Sequence, residues 1–396
     1  MPHHGRNLAL VIAAMALSFV AQSVTMLAVP LYASALGAPP AAIGLLVATA
    51  CALPTVFAIP MGRLVTRLGV RRMMTLGAAG MALAPIAVLV APGFVGLLVL
   101  QLLIGTTQLA MGISAQATVA ASARGPALER AFGWYTTAAS IGQMIGPLVG
   151  GLLLDVAGPA AAFAMAAAVP LLALACARFL RVPPGERLAA GDSPFGYRAQ
   201  ARLLRGNPAV QAALVLTVAV LLAIGSHAAF FPVYLEGLAV PATVIGALLS
   251  LRALASTLVR PLMAWAVRLA GGRARAMAAC VGAMALGVGL TGLVGGVVTL
   301  GLLAILIGIG AGLGQPLSLV VLSEHVPAAE RPSALGLRLT FNQGTQLVAP
   351  LALGAVAQFS GYGPMFVFAG ALLLGVLWAL LSRLPAYVRL ARSEGG

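Results

Sequence analysis

The sequence predicts an all-α membrane protein of twelve transmembrane helices, arranged as two six-helix bundles related by pseudo-twofold symmetry. Three observations predict it. Hydrophobic residues make up 61% of the 396 residues and charged residues only 8%, far below the roughly 25% that coats a soluble domain. The apolar residues collect into runs of about twenty, the length that crosses ~30 Å of hydrocarbon. Short motifs of the first half return in the second at a nearly fixed offset.

The runs, taken as α1 to α12, are 8–33, 41–61, 73–92, 94–121, 131–154, 159–180, 209–234, 242–263, 276–296, 299–322, 334–357 and 364–382. The first has a basic start (Arg6) and a small-residue stretch at Ala33-Ser34-Ala35. A secretory signal core is roughly 7–15 residues long, whereas this run extends from Leu8 to Leu31, so it reads as an uncleaved helix. A polar, basic segment at 181–208 containing Pro183-Pro184 is the linker between an N-terminal bundle, 1–180, and a C-terminal bundle, 209–396. The repeat shows in Ile43-Gly44 and Ile245-Gly246, in Leu103-Ile104-Gly105 and Leu306-Ile307-Gly308, and in Gly133, Pro147 and Gly151 against Gly336, Pro350 and Gly354. Parallel repeats of this kind are a known transporter design.

All 23 basic residues are arginine, and the net charge is +15. They form no single patch of the kind that binds nucleic acid. Apart from Arg252 and Arg338, which lie inside helices, they cluster in the tails (Arg6, Arg383, Arg389, Arg392) and in the loops after α2, α4, α6, α8 and α10 with their helix ends, Arg124 among them. The opposite loops at 37–40, 91–93 and 360–363 carry none. Arginine marks the cytoplasmic side, which places both termini in the cytoplasm of a bacterial-type inner membrane.

Every third helix is nearly blank of polar residues. α3 has Thr75, α9 has Thr291, and α12 has Trp378 and Ser382. Polar side chains are costly against lipid and turn toward the bundle interior or a wet cavity. Helices α3, α6, α9 and α12 therefore face lipid, and the others surround something polar. Ser18, Gln22 and Thr25 share a face of α1. Gln101, Gly105, Gln108, Gly112 and Gln116 fall within about 80° on α4. Arg338, Asn342, Thr345 and Gln346 do the same on α11. The candidate substrate-cavity residues are Gln22, Gln101, Gln108, His227, Arg252, Gln315, Asn342 and Gln346. The alternative for any one glutamine is an amide bridge between neighbouring helices.

The loop after α2 reads Gly62-Arg63-Leu64-Val65-Thr66-Arg67-Leu68-Gly69-Val70-Arg71-Arg72, a tight cytoplasmic turn in which Gly62 and Gly69 permit the bend. Here the chain resembles the major facilitator superfamily, whose signature loop it matches at Gly62, Arg67, Gly69, Arg71 and Arg72. It departs at Thr66, where the family usually carries an aspartate that helps latch the two halves. Gly133, Gly142, Gly146-Pro147 and Gly150-Gly151 on α5 resemble the family's antiporter motif, which is associated with exporters. On α4, where many exporters carry an arginine four residues before a glycine, this chain has Gln101 before Gly105. The resemblance implies a secondary transporter that alternates between inward-open and outward-open states. It points to proton-coupled efflux of a drug-like or metabolite compound by a monomer. The alternative is an importer or facilitator of a small organic anion.

No acidic residue lies near a helix centre. Glu129 and Glu330 precede α5 and α11, where a carboxylate suits the helix dipole. Asp155 and Glu236 lie at outer ends, where protons from outside would reach them. Two ionisable groups are deep: His227 on α7, which titrates near neutral pH when unperturbed, and Arg252, about ten residues into α8. A charge at mid-bilayer costs at least ~2.5 kcal/mol on insertion scales, and a cavity with arginine and no acid disfavours cations. Cys51, Cys176 and Cys280 sit within apolar runs without metal spacing, so no metal or cofactor is expected. An intramembrane enzyme is disfavoured, since there is no serine-nucleophile elbow or phosphate-binding glycine loop.

Overall fold

The computed structural model describes residues 3–122, 126–180, 197–327 and 330–394. Most of the expected linker, 181–196, and Arg124 lie outside the described residues. Among the described residues every regular element is helical.

The helices outrun their apolar cores, chiefly on the arginine-bearing side. They are α1 His3–Ala35, α2 Pro40–Leu68, α3 Val70–Leu83, α4 Phe94–Ser122, α7 Pro208–Gly237, α8 Ala242–Val259, α9 Arg273–Thr291, α10 Val297–Glu324, α11 Arg331–Ser360 and α12 Tyr362–Glu394. α5 and α6 form one helical run, Pro126–Arg178, broken at Gly158 by φ 76° and ψ 179°. At 1.5 Å per residue that run is ~80 Å long, more than twice a bilayer's hydrocarbon thickness, so it supplies two crossings. Among the described residues ten segments are long and apolar enough to span. The broken run counts twice, and α11, diluted by Arg338, Asn342, Gln343 and Gln346, is the twelfth crossing. Four shorter pieces were not expected. Pro85 breaks α3, which resumes as Ile86–Val90. Pro261 forces a 3-10 turn, Arg260–Leu262, before Met263–Leu269 extends α8. A short helix, Tyr197–Gly206, precedes α7.

The chain divides into two compact units. The first takes in the described part of 1–191 together with Pro232–Ser250; the second takes in the described part of 192–231 and 251–396. Residues 232–250, the end of α7 and the start of α8, group with the first unit because α8 interlocks with α5 there. The first unit's core is rich in methionine: Met15, Met73, Met74, Met81 and Met111 meet Val11, Val65 and Leu180. Methionine's unbranched chain fills irregular gaps between helices. Helices α3, α6, α9 and α12 expose large apolar side chains, among them Leu76, Leu172, Leu286 and Trp378. Such surface belongs against lipid.

Backbone geometry repeats with the sequence. Gly37 and Ala239 close α1 and α7 with φ of 75° and 57°. Gly69 and Gly272 separate α2–α3 and α8–α9, and Gly158 and Gly361 separate α5–α6 and α11–α12, all at positive φ. The first pair shares a hydrogen-bond pattern as well. Gly37 N–H donates to Ser34 O and Ala38 N–H to Ala33 O, while Ala239 N–H donates to Glu236 O and Val240 N–H to Leu235 O, the Schellman closure of a helix. Helix contacts repeat too. A side chain on Gly105 would overlap the Ala50 carbonyl, and one on Gly308 would overlap the Arg252 carbonyl. Each glycine lets its helix, α4 or α10, sit directly on the backbone of α2 or α8.

Ala239 stands where the first repeat has glycine, in a conformation that disfavours a Cβ. Ala239→Gly is therefore expected to stabilise the protein by about 1 kcal/mol and Gly37→Ala to destabilise it by a similar amount. Opposite shifts in the thermal midpoint of the detergent-purified protein check this; shifts of the same sign would contradict it.

Candidate functional site

In the first unit the polar stripes divide into spent and unspent groups. Ser18 and Thr25 are buried and donate back to Ala14 O and Ala21 O, one turn earlier. Ser18 also meets Met111 Sδ on α4 at 3.3 Å. Gln22, between them, is half-buried. Gln101 is buried and its Nε2 donates to Leu46 O on α2 at 3.1 Å, so this amide bridges two helices. Gln108, two turns along, keeps its Oε1 enclosed with no partner among the described residues. Gln116 is exposed toward the end of α4.

The glycines of α5 work on two faces. Gly142, Gly146 and Gly150 recur every four residues, so they line one stripe of the helix. A side chain on Gly142 would meet Phe19 and Ala16 O, one on Gly146 would meet Ser23 and Val20 O, and one on Gly150 would meet Val24, all on α1. Gly151 lies round the helix from that stripe. It abuts Ala242 O and Thr243, and Gly246 in turn abuts the Pro147 carbonyl. Ser250 donates to Met144 O, extending the α5–α8 seam. Gly133 touches nothing comparable.

That seam ends at Asp155, in the junction between the apolar segments of α5 and α6. Its carboxylate accepts Ala242 N–H at 3.0 Å and Thr243 N–H at 2.7 Å, the first two amides of α8. A helix start offers free N–H groups and a partial positive charge, so Asp155 caps α8 from 87 residues away. Partial burial pushes this carboxyl up, but bonds from the Thr243 hydroxyl and both amides outweigh that and hold it below the ordinary aspartate value. The group expected to meet outside protons is thus kept ionised. Glu236, at the end of α7, has Oε2 enclosed without a partner among the described residues.

In the second unit His227 is fully buried and stacks on Phe231, ring centroids 3.8 Å apart. Among the described residues neither of its ring nitrogens has a partner, nor does Arg252 Nε. Arg338 Nε donates to Ser318 Oγ at 3.2 Å, and Ser318 Oγ donates to Gln315 O at 2.8 Å. Gln346 Nε2 donates to Asn342 Oδ1 one turn away. The α11 amides thus pair with each other, while Gln315 is half-buried on α10.

The loop after α2 differs from expectation. Gly62 lies within the continuous helix α2, with nothing near its missing side chain, and Thr66 donates to Gly62 O at 2.8 Å. Gly69 alone makes the turn, at φ 84°. Arg63, Arg67, Arg71 and Arg72 are exposed around it. Sequence reasoning missed an ion pair in the second unit: Arg273 at the start of α9 forks onto Glu324 at the end of α10, with Nη2–Oε1 at 2.9 Å. Opposite charges at the facing ends of consecutive helices, Arg273 at the start of α9 and Glu324 at the end of α10, were the available signal. A groove of about 510 Å³ between Leu8, Ile12, Trp134 and Ile141 is apolar and holds none of the candidate cavity residues. No group of metal-ligating side chains occurs among the described residues.

A family model described as Major Facilitator Superfamily matches residues 11–242 and 213–395. No curated protein matches the chain significantly. Solved structures of similar fold include a POT family transporter in complex with a thioalcohol-conjugated peptide (15% identity, 96% of each chain, TM-score 0.79). The nucleoside transporter NupG is another (14% identity, 96% of this chain and 99% of that one, TM-score 0.78). A third is a bacterial homologue of the human lysosomal transporter Spinster, inward-facing and occupied (15% identity, 99% of this chain and 97% of that one, TM-score 0.75).

Removing the carboxylate tests the cap. Asp155→Ala is expected to lower stability by about 0.5–1 kcal/mol at pH 7, the scale of a lost helix cap. A lowered folded-state value means the contribution is present above the unfolded aspartate value, ~3.9, and is lost as pH falls through the folded one. Thermal midpoints of wild type and variant should differ at pH 7 and at pH 5 alike. A gap that closes between pH 7 and 6 would contradict the assignment.

Proposed function

The chain belongs to the Major Facilitator Superfamily, and from that premise we propose that this small-solute transporter is a proton-coupled exporter of a drug-like or metabolite compound. The observation that supports efflux is the α5 seam. The glycine pattern associated with exporters is used from Gly142 onward, three glycines against α1 and Gly151 with Pro147 against the first turns of α8. Close backbone contact gives a seam that seals without side-chain bulk and that separates without stripping a buried apolar cluster. Asp155 pins its outer end.

In this reading Asp155 is structural, and the proton carriers are groups that have unspent capacity. Glu236 and His227 qualify, each with buried polar atoms that no described residue partners. Gln22, Gln108, Gln315, Asn342 and Gln346 supply neutral donors and acceptors for a solute. Gln101 bridges α4 to α2, and Thr66 supplies no carboxylate to a cytoplasmic latch, so release on that side relies on the exposed arginines. The arginine distribution favours cytoplasmic termini in a bacterial-type inner membrane, and the protein acts as a monomer. The second reading, an importer or facilitator of a small organic anion, is favoured by Arg252, a deep cation without an ion pair among the described residues.

Proteoliposomes carrying a pH-sensitive dye and an imposed gradient separate the two. Addition of an exported compound should dissipate the gradient, and Glu236→Gln should reduce that proton flux by about tenfold or more, the scale of losing a proton-transfer group. Equilibration of solute that ignores the gradient would support the facilitator instead.

A further inference from the structure

Arg252 is placed where it has no easy escape. It lies about ten residues into α8, ~15 Å along the helix axis at 1.5 Å per residue, half of a ~30 Å hydrocarbon layer. Gly308 of α10 is seated on its carbonyl, which fixes the backbone at that depth. A guanidinium stays charged, so it needs an acceptor. Arg252 forms no ion pair among the described residues, and its Nε is enclosed without a partner.

The neighbouring group on α7 has the same shortage. His227 is fully buried, and both ring nitrogens lack partners among the described residues. It stacks on Phe231 at an interplanar angle of 23°, which fixes the plane of its ring. His227 lies ten residues before the end of α7 and Arg252 ten residues after the start of α8, and the short turn joining these consecutive helices sets the two groups at the same depth. A neutral imidazole still donates one N–H. The pair thus offers a fork of guanidinium donors and one further donor, next to an aromatic face, inside a single unit. A cation is repelled there and a neutral amide leaves the guanidinium uncompensated. A carboxylate matches the fork with two acceptors, and an apolar body on that carboxylate matches the surrounding helices.

We propose that Arg252 and His227 form the receptor for the carboxylate of an amphipathic organic monoanion. This deepens the transport reading above and rests on it, since the anion would be the transported solute. Arg252 supplies the charge-assisted bonds, His227 the orienting N–H, and Phe231 holds the imidazole.

The test is thermal unfolding of the detergent-purified full chain at constant ionic strength with benzoate, benzamide, benzylammonium or chloride. Benzoate should raise the midpoint saturably, and the other three should not. Arg252→Gln should weaken the benzoate effect by about tenfold or more, Arg252→Lys should fall between, and His227→Gln should weaken it several-fold. Benzamide acting as well as benzoate, an undiminished benzoate effect in Arg252→Gln, an equal response to chloride, or no response to benzoate would each overturn the proposal. Should Arg252→Gln fail to fold, the wild-type ligand series and His227→Gln still decide. The assay uses neither membrane nor gradient. Its failure leaves proton-driven transport standing, and a vesicle result against coupling leaves the anion site standing.

Discussion

The structure depends on one constraint: a polar group inside hydrocarbon must be satisfied by the protein itself. The chain obeys it largely by local means. Thr49, Thr55, Thr75, Thr106, Ser114, Thr217, Thr257 and Thr291 each return their hydroxyl to a carbonyl one turn earlier. Such a hydroxyl is silenced by its own helix. Against that background, Gln108 Oε1, Glu236 Oε2, both nitrogens of His227 and Nε of Arg252 stand out as enclosed and unpartnered among the described residues. The groups left unspent are the ones worth assigning to chemistry.

The second requirement is attraction between helices that share an apolar solvent. Burial gives little advantage when lipid is as apolar as leucine, so close contact must supply it. Gly105 on Ala50, Gly308 on Arg252, Gly146 on Val20 and Gly151 on Ala242 all bring one helix onto the carbonyl of another. α5 uses this twice, once toward α1 and once toward α8. It is both a packing core for its own unit and the partner of a segment from the second repeat, which is why 232–250 group with the first unit.

Most of the fold was legible because composition, run length and arginine placement act one residue at a time. The twelve crossings, the blank helices and the repeat all followed from such local signals. What sequence periodicity does not report is the partner. Asp155 reads as an acid at an outer helix end, and only tertiary contact reveals that it caps a helix start 87 residues away. Gln101 and Gln108 share one face of α4, yet the first is spent on Leu46 and the second is not. Gly62 reads as a turn glycine from its motif, but α2 continues through it because nothing there requires a positive φ. The uninterrupted hydropathy around Gly158 likewise hid how little separates α5 from α6, a single non-helical residue.

The internal repeat gives an independent way to weigh the remaining groups. At the offset relating Gly44 to Gly246, His227 takes the place of Thr25, Glu236 that of Ser34, and Arg252 that of Ala50. The backbone seats are shared: the α1 and α7 ends close alike, and Gly105 and Gly308 rest on the carbonyls of Ala50 and Arg252. Shared geometry therefore accounts for the fold but not for these three side chains. In the first repeat the matching positions hold a self-satisfied threonine, a serine and an alanine, which make the same helices without ionisable groups. A fold that needs no ionisable group at those positions has three in the second repeat. Each replacement puts an ionisable group where the first repeat has none. The asymmetry supports the proposed assignment of chemistry to α7 and α8, on a scaffold that the symmetric glycines would hold together without it.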